Sequence, residues 1–386
     1  MNGYKPVQPA ARVAALDALR GMALCGILLI NIWDMGGPIA MDRPMAPPAI
    51  ADPDWQIWSF AHLFVTGTMR GLFSMLFGVG LILFVGSEEG AERSRLFFRR
   101  LLLLMLFGLI DMTLLLWPGD ILLVYALAGL VALTLRPLRS EFLLLIAAVL
   151  LALLSWWAAR EALTLSPADT VYTAAALARE GAARLGSYTE TLNYMSRVSW
   201  IWSINATSYR WICDAAAFML VGIALHRVGL FAADADPRLA WRMMIGGYGL
   251  GLPLRLLSTL EIFGNEGGPT LVSALVEQPG RLAMTLGHVG LFLLMWRQAR
   301  VRAMLAPIGA MGRMALTLYL AQSLVGAMVF SGFGLGLWNS LSWPRLWTVA
   351  LLILLAQALF ATAWFRRFRY GPVEWLWRLG TYGKLP

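Results

Sequence analysis

The chain has 386 residues, 59% of them hydrophobic and only 14% charged, with a mean hydropathy of +0.68 and a formal net charge of +9. That composition excludes a soluble enzyme, because apolar runs long enough to cross about 30 Å of hydrocarbon recur along the whole length. The basic excess gathers at the ends of those runs, so topology explains it and a nucleic-acid partner is not expected.

The first apolar run, Leu16 to Asn31, reads LDALRGMALCGILLIN. At about 100° per residue, Asp17, Arg20 and Asn31 share one helical face. Leu19, Met22 and Leu29 lie on the other face, which suits lipid. The charges mark a retained span, 15–35, and not a signal peptide. A Pro-rich connection then leads to a second segment, 56–86, whose Thr66, Gly67, Thr68 and Arg70 predict a break near Gly67–Gly71. Further spans are expected at 98–116, 120–135 and 141–159. A long connection, 160–196, alternates Ala, Leu, Arg and Glu and reads as amphipathic helix at one surface. Spans at 198–226, 240–259, 271–296, 304–330 and 344–365 follow, and a basic tail closes the chain.

The expectation is an all-α, polytopic helical membrane protein. It forms one domain, 1–386, with about ten transmembrane spans around a polar cavity. Ten spans put both termini on one side. That side collects Lys5, Arg12, the Arg93–Arg100 cluster, Arg136, Arg139, Arg227, Arg238, Arg242, Arg297, Arg300, Arg302 and the basic tail, whereas Arg43, Glu261, Glu266 and Arg345 fall on the other, which assigns the first side to the cytoplasm. Asn205-Ala-Thr matches a glycosylation pattern but falls inside an expected span and is set aside. Cys25 and Cys213 sit in apolar runs, so neither a disulfide framework nor a metal site is expected.

Ionisable groups inside a bilayer are costly and face a partner or a wet cavity. The candidates are Asp17, Arg20, Arg70, Asp111, Asp120, Arg210, Asp214, Arg281, His288 and Arg313. Asp17 with Arg20, and Arg210 with Asp214, have the spacing of helical pairs. Asp120 follows Pro118-Gly119, where a carboxylate caps a helix as readily as it serves chemistry. His288, nearly on the face of Arg281, is either a satisfied core imidazole or a base, and His62 lies toward the opposite surface. Arg95, Arg99 and Arg100 satisfy the positive-inside rule and would equally hold an anionic ligand. The stretch 309–324, with Arg313, Thr317, Tyr319, Gln322 and Ser323, suits close packing or a cavity wall.

These motifs carry a resemblance. LDALRGMALCGILLIN, FSMLFGVGL (73–81), RRLLLLMLFGLI and WPGDILLVYAL (99–127), MLVGIALHRVGL (219–230), IGAMGRMALTLYLAQS (308–323) and GPVEWLWR (371–378) follow in the order of the YeiB-type family of bacterial membrane proteins. That family is similar to the transmembrane acyltransferase superfamily, which includes the heparan glucosaminide acetyltransferase. The resemblance implies a helical bundle around a pore-like cavity, with acyl-CoA entering from the cytoplasm and an acceptor on the far side. Three positions where those branches carry histidine are Asn31, Asp42 and Asp111 here. The resemblance therefore implies Asp111, or His62 or His288, as base, with Asn31, Asp17 and Arg20 shaping the site and Arg95, Arg99 and Arg100 holding CoA phosphates.

The leading expectation is an inner-membrane acyltransferase using acyl-CoA as donor, without metal, and an envelope glycan or small molecule as acceptor. A transporter using the same cavity, with Arg210, Asp214 and His288 as its groups, is the alternative. A scaffold binding lipid or a protein is a third reading, and a homodimer is an open option.

Overall fold

The computed structural model describes residues 14–39, 41–86, 91–164, 173–204, 206–231 and 236–383. Lys5, Arg12 and Asn205, invoked above, lie outside the described residues. Every regular element among those described is helical: α1 Ala14–Gly36, α2 Pro53–Phe64, α3 Thr68–Val85, α4 Ala91–Thr113, α5 Leu122–Leu135, α6 Ser140–Thr164, α7 Ala174–Arg184, α8 Tyr188–Ile204, α9 Ala206–Arg227, α10 Pro237–Gly264, α11 Leu271–Trp296, α12 Ala299–Met304, α13 Ala306–Arg313, α14 Ala315–Phe330, α15 Trp343–Trp364 and α16 Pro372–Tyr382.

Local sequence sets the helix starts. Asp52 accepts the Asp54 N–H at 2.8 Å ahead of Pro53, and Asp236 does the same for α10 ahead of Pro237. Thr270 and Ser273 cap α11 reciprocally. Each side-chain oxygen replaces water at N–H groups that the helix itself cannot satisfy.

Four segments are long and apolar enough to cross a membrane: α1, α2–α3 taken together, α6 and α15. The α13–α14 pair, bent by 87°, makes a fifth. Among the other expected spans, α5 has 14 residues, and α4, α9, α10 and α11 are diluted by ionisable residues or proline. On α6 and α15, Leu145, Val149, Trp156, Leu352, Leu355 and Leu359 are exposed. Apolar surface of that extent belongs against lipid.

Helix α1 is the central element, packed by α3, α13, α14 and α15. Leu19 is therefore fully buried, as are Leu24 and Leu28, which corrects the expectation that the Leu19 face meets lipid. Glycines allow this enclosure. A Cβ on Gly312 would lie 1.7 Å from the Asp17 carbonyl oxygen, and one on Gly21 would lie 2.0 Å from that of Ile308. The α1 and α13 backbones therefore touch, as small residues permit between membrane helices.

The connection 160–196 contains α7 and the start of α8, and part of it is interior. Arg184 pairs with Glu180 at 3.1 Å and donates to the Asp34, Met35 and Gly37 carbonyls. Glu180 also accepts the Ile39 N–H. This buried pair caps the C-terminal end of α1, where free carbonyls attract a cation. The expected span 198–226 falls on α8, described to Ile204, and α9, described from Ala206.

The elements define two ends. At one, the Trp377 indole donates to the Arg100 carbonyl and Arg227 donates to the carbonyls of Arg136 and Leu138. At the other, α7 meets the end of α1, and the start of α15 (Trp343 N–H) meets Asp54. The first is the arginine-rich end.

Candidate functional site

Two cavities open between these helices. The one at the arginine-rich end has a volume of about 440 Å³ and is lined by α1, α3, α4, α5, α13, α14 and α16. Its walls are leucine and phenylalanine, with Arg20, Arg100, Arg313 and Arg378 set among them. Aromatic faces hold three of these guanidinium groups: Trp377 lies 4.0 Å from Arg100, Phe365 3.8 Å from Arg313 and Tyr370 4.3 Å from Arg378. Stacking fixes the orientation of these planar groups.

Two acids share this cavity. Asp17 pairs with Arg20 at 2.9 Å, as the spacing predicts. Glu374 accepts the Leu316 and Thr317 N–H groups at 2.8 and 3.1 Å and the Thr317 hydroxyl at 2.6 Å. It thereby caps α14 just after the 87° bend. Burial raises its carboxyl above the ordinary value, and those hydrogen bonds partly offset the rise. Four cations against two engaged acids leave the cavity positive.

The second cavity, about 380 Å³, opens toward the other end. Asn31, Asp34, Asp42 and Arg70 line it together with Trp33, Trp117, Trp202 and Trp211. The polar stripe on α1 is thus divided: Asp17 and Arg20 face one cavity, Asn31 and Asp34 the other.

Ile121 lines both cavities and so stands in the wall between them. Its N–H donates to the Tyr319 hydroxyl at 3.1 Å. Behind it, the Trp117–Asp120 turn is folded against α4. Asp120 accepts the Leu122 and Leu123 N–H groups at 3.0 and 2.8 Å, the capping role its position predicts. A Cβ on Gly108 would fall 2.6 Å from the Asp120 carboxylate and 2.5 Å from the Leu123 nitrogen, so only glycine admits the turn. Asp111, one turn along α4, is fully buried beside Asp120 and Ser323 and opens onto neither cavity.

A separate network surrounds the break between α2 and α3, where Gly67 has φ +72°. The break frees backbone carbonyls in the interior, and side chains of α10 and α11 satisfy them. Arg255 donates to the His62 and Thr66 carbonyls, Arg281 to that of Gly67 at 3.1 Å, and His288 Nε2 to that of Phe64 at 2.8 Å. Glu277 balances Arg255, and Asp214 balances both Arg281 (3.0 Å) and Arg70 (3.2 Å). His62 Nδ1 meets the Thr259 hydroxyl, its Nε2 lies 3.5 Å from Glu277, and its ring stacks on Trp58. His288 Nδ1 meets the Tyr248 hydroxyl at 2.8 Å. Non-helical backbone at membrane depth persists only where protein satisfies it in this way.

Several expectations change accordingly. Arg210 does not pair with Asp214; it reaches Glu161 on α6 at 2.6 Å, because Arg70 and Arg281 already occupy the Asp214 carboxylate. Of the expected CoA arginines, Arg100 faces the cavity, whereas Arg95 and Arg99 are exposed on other faces of α4. Arg378, Glu374, Tyr125 and Asp34 also line the cavities and were not singled out, whereas Tyr319 lines one as the stretch 309–324 suggested. The readable signal for two of them is the four-residue spacing of Glu374 and Arg378 in GPVEWLWR, which puts both on one helical face.

The chain is similar to known proteins over nearly its whole length. Residues 225–384 match the family described as "Protein of unknown function (DUF418)". The chain is 29% identical to the uncharacterized protein YxaH of Bacillus subtilis over 99% of its own length and 97% of that protein. It is 28% identical to an uncharacterized 39.9 kDa protein of Bacillus acidopullulyticus, over 98% and 96%. With the uncharacterized protein YeiB of Escherichia coli it shares 32% identity over 95% of each chain. The chain is a multi-pass membrane protein and belongs to the YeiB-containing DUF418 family.

Proposed function

We propose that the protein is a transmembrane acyltransferase that moves a short acyl group from acyl-CoA to a hydroxyl or amine of an envelope glycan or small molecule. The observation that carries the reading is the pair of cavities meeting at one side chain, Ile121. A donor and an acceptor approaching from opposite ends would meet there. In this reading ten passes cross the bacterial inner membrane, with α2–α3 and α13–α14 each counted as one. The arginine-rich end and both termini then face the cytoplasm.

The two cavities suit the two substrates. Arg20, Arg100, Arg313 and Arg378 would hold the CoA phosphates, and the phenylalanine and leucine walls would take its pantetheine arm. The cavity volumes fall within the usual range for small-molecule sites, about 300–1,000 Å³. The acyl carbonyl would lie at the wall. Asn31 lines the same cavity as Ile121, and its amide would donate to the carbonyl oxygen as charge develops. Asp34, one turn farther on the same face, is the carboxylate positioned to take the acceptor's proton. The acceptor oxygen or nitrogen forms a bond to the acyl carbon, the carbon–sulfur bond breaks, and a proton ends on the CoA sulfur. The ring nitrogens of His62 and His288 are already engaged at the helix break, which supports leaving them out of this step.

The test uses inverted membrane vesicles containing the protein, supplied with acetyl-CoA labelled in the acetyl group. Label entering luminal envelope material, and lost with Asn31→Ala, is the expected result. No transfer by folded protein that binds acetyl-CoA would overturn it and shift the reading to a transporter using the same two cavities, which uptake in proteoliposomes would then detect.

A further inference from the structure

We infer that Asp111 and Asp120 hold one shared proton inside the wall between the two cavities, with Asp111 as its carrier. Three observations lead there. The two carboxyls lie side by side, on the α4 face that Gly108 keeps open, and both are buried. Asp120 is already served as an anion, since each oxygen accepts a backbone N–H at the start of α5, where the helix dipole also favours negative charge. Asp111 has no such service: neither oxygen accepts a hydrogen bond, and the Ser323 hydroxyl beside it, 3% exposed, is equally without a partner. A fully buried carboxylate lacking hydrogen bonds and a counter-ion, next to a second carboxylate, is untenable as an anion. A proton on Asp111 supplies what is missing, because the neutral acid donates to Asp120 and accepts from Ser323.

The groups facing this pair add no cation. Tyr319 and Ser323 approach from α14, Trp117 and Asp120 from the turn. Arg184, which borders the small void beyond Trp117 and Ser323, is paired with Glu180. Among the described residues, no arginine or histidine forms a salt bridge to either carboxylate.

The position gives the proton a route. Tyr319 packs against the turn at Ile121, next to Asp120, and lines the arginine-rich cavity. Its oxygen accepts from Ile121, so its own O–H proton is available to move. Transfer from Asp111 and Asp120 through Tyr319 would deliver a proton to a thiolate leaving in that cavity, and the acceptor's proton, first taken up by Asp34, would restore the pair. This use as a relay rests on the proposed acyl transfer, whereas the stored proton does not.

Infrared spectroscopy of the purified full-length protein reads the proton directly. At neutral pH the carboxylic-acid C=O stretching region should contain a band that shifts in heavy water, that moves when the carboxyl carbon of aspartate is isotope-labelled, and that is lost in Asp111→Asn. In Asp120→Asn the band should persist at a changed frequency, because the hydrogen-bond acceptor has changed. Wild-type protein whose acid region is unmoved by aspartate labelling overturns the inference, and that arm needs no variant to fold. A folded Asp111→Asn protein with an unchanged spectrum overturns it equally. Failure of acyl transfer alone would leave the band in place, which separates this inference from the proposed function.

Discussion

Two buried polar clusters lie within this bundle, and they differ in how their groups are satisfied. Around the α2–α3 break, Arg255, Arg281, His288, Asp214 and Glu277 each close a hydrogen bond or ion pair that the broken backbone or a neighbouring charge requires. At the Ile121 wall, Asp120 caps α5 while the Asp111 carboxyl and the Ser323 hydroxyl have no hydrogen-bond partner. Both clusters cost desolvation. The first returns it as structure throughout and the second only at Asp120, so Asp111 is where chemistry is expected.

Substitutions sharpen this contrast, and the largest effect belongs to the paired cluster. Asp214→Ala leaves Arg281 buried without its partner and should cost about 3–5 kcal/mol of stability, seen as a large drop in thermal unfolding temperature in detergent. Asp111→Asn, isosteric with the neutral acid, should change that temperature little. Equal losses from the two variants would erase the distinction. Next, Gly108→Ala forces a methyl onto the Leu123 nitrogen and Asp120. It should cost about 1–3 kcal/mol as overpacking and disturb the wall together with the turn. Asn31→Ala should leave folding intact and lower transfer by about 100-fold, the scale of a lost oxyanion donor.

The smallest effect concerns Glu374. Its carboxyl titrates above the ordinary value of 4.5 in the folded protein. The native state therefore holds that proton more tightly than the unfolded chain, and stability falls as pH rises from 4.5 through the raised value. Glu374→Gln should remove this slope from a series of melting curves, and an unchanged slope would assign it to another group.

Much of the architecture was legible in the sequence because hydropathy and helix spacing are local. The α2–α3 break, the Asp17–Arg20 pair and the Asp120 cap were all readable from neighbouring residues. Partners distant in sequence were not. Spacing allowed Arg210 to meet Asp214, but Arg70 and Arg281, 144 and 67 residues away, hold that carboxylate instead. The sequence likewise showed an arginine cluster at 93–100 without showing which face of α4 would turn inward. Arg100 does, because Trp377 of α16 packs over it. Leu19 read as lipid-facing because a sequence cannot show that one helix is enclosed by four others.

Acetyl-CoA binding to the detergent-purified protein tests the donor cavity, and with it the central claim, most directly. Wild type should bind saturably, and Arg99→Ala should match it because Arg99 is exposed. Arg100→Ala/Arg378→Ala should weaken binding at least 10-fold, since each charge-assisted phosphate contact is worth about 1.5–3 kcal/mol. Binding unchanged in that double variant, or abolished by Arg99→Ala, would contradict the assignment of the arginine-rich cavity to the donor.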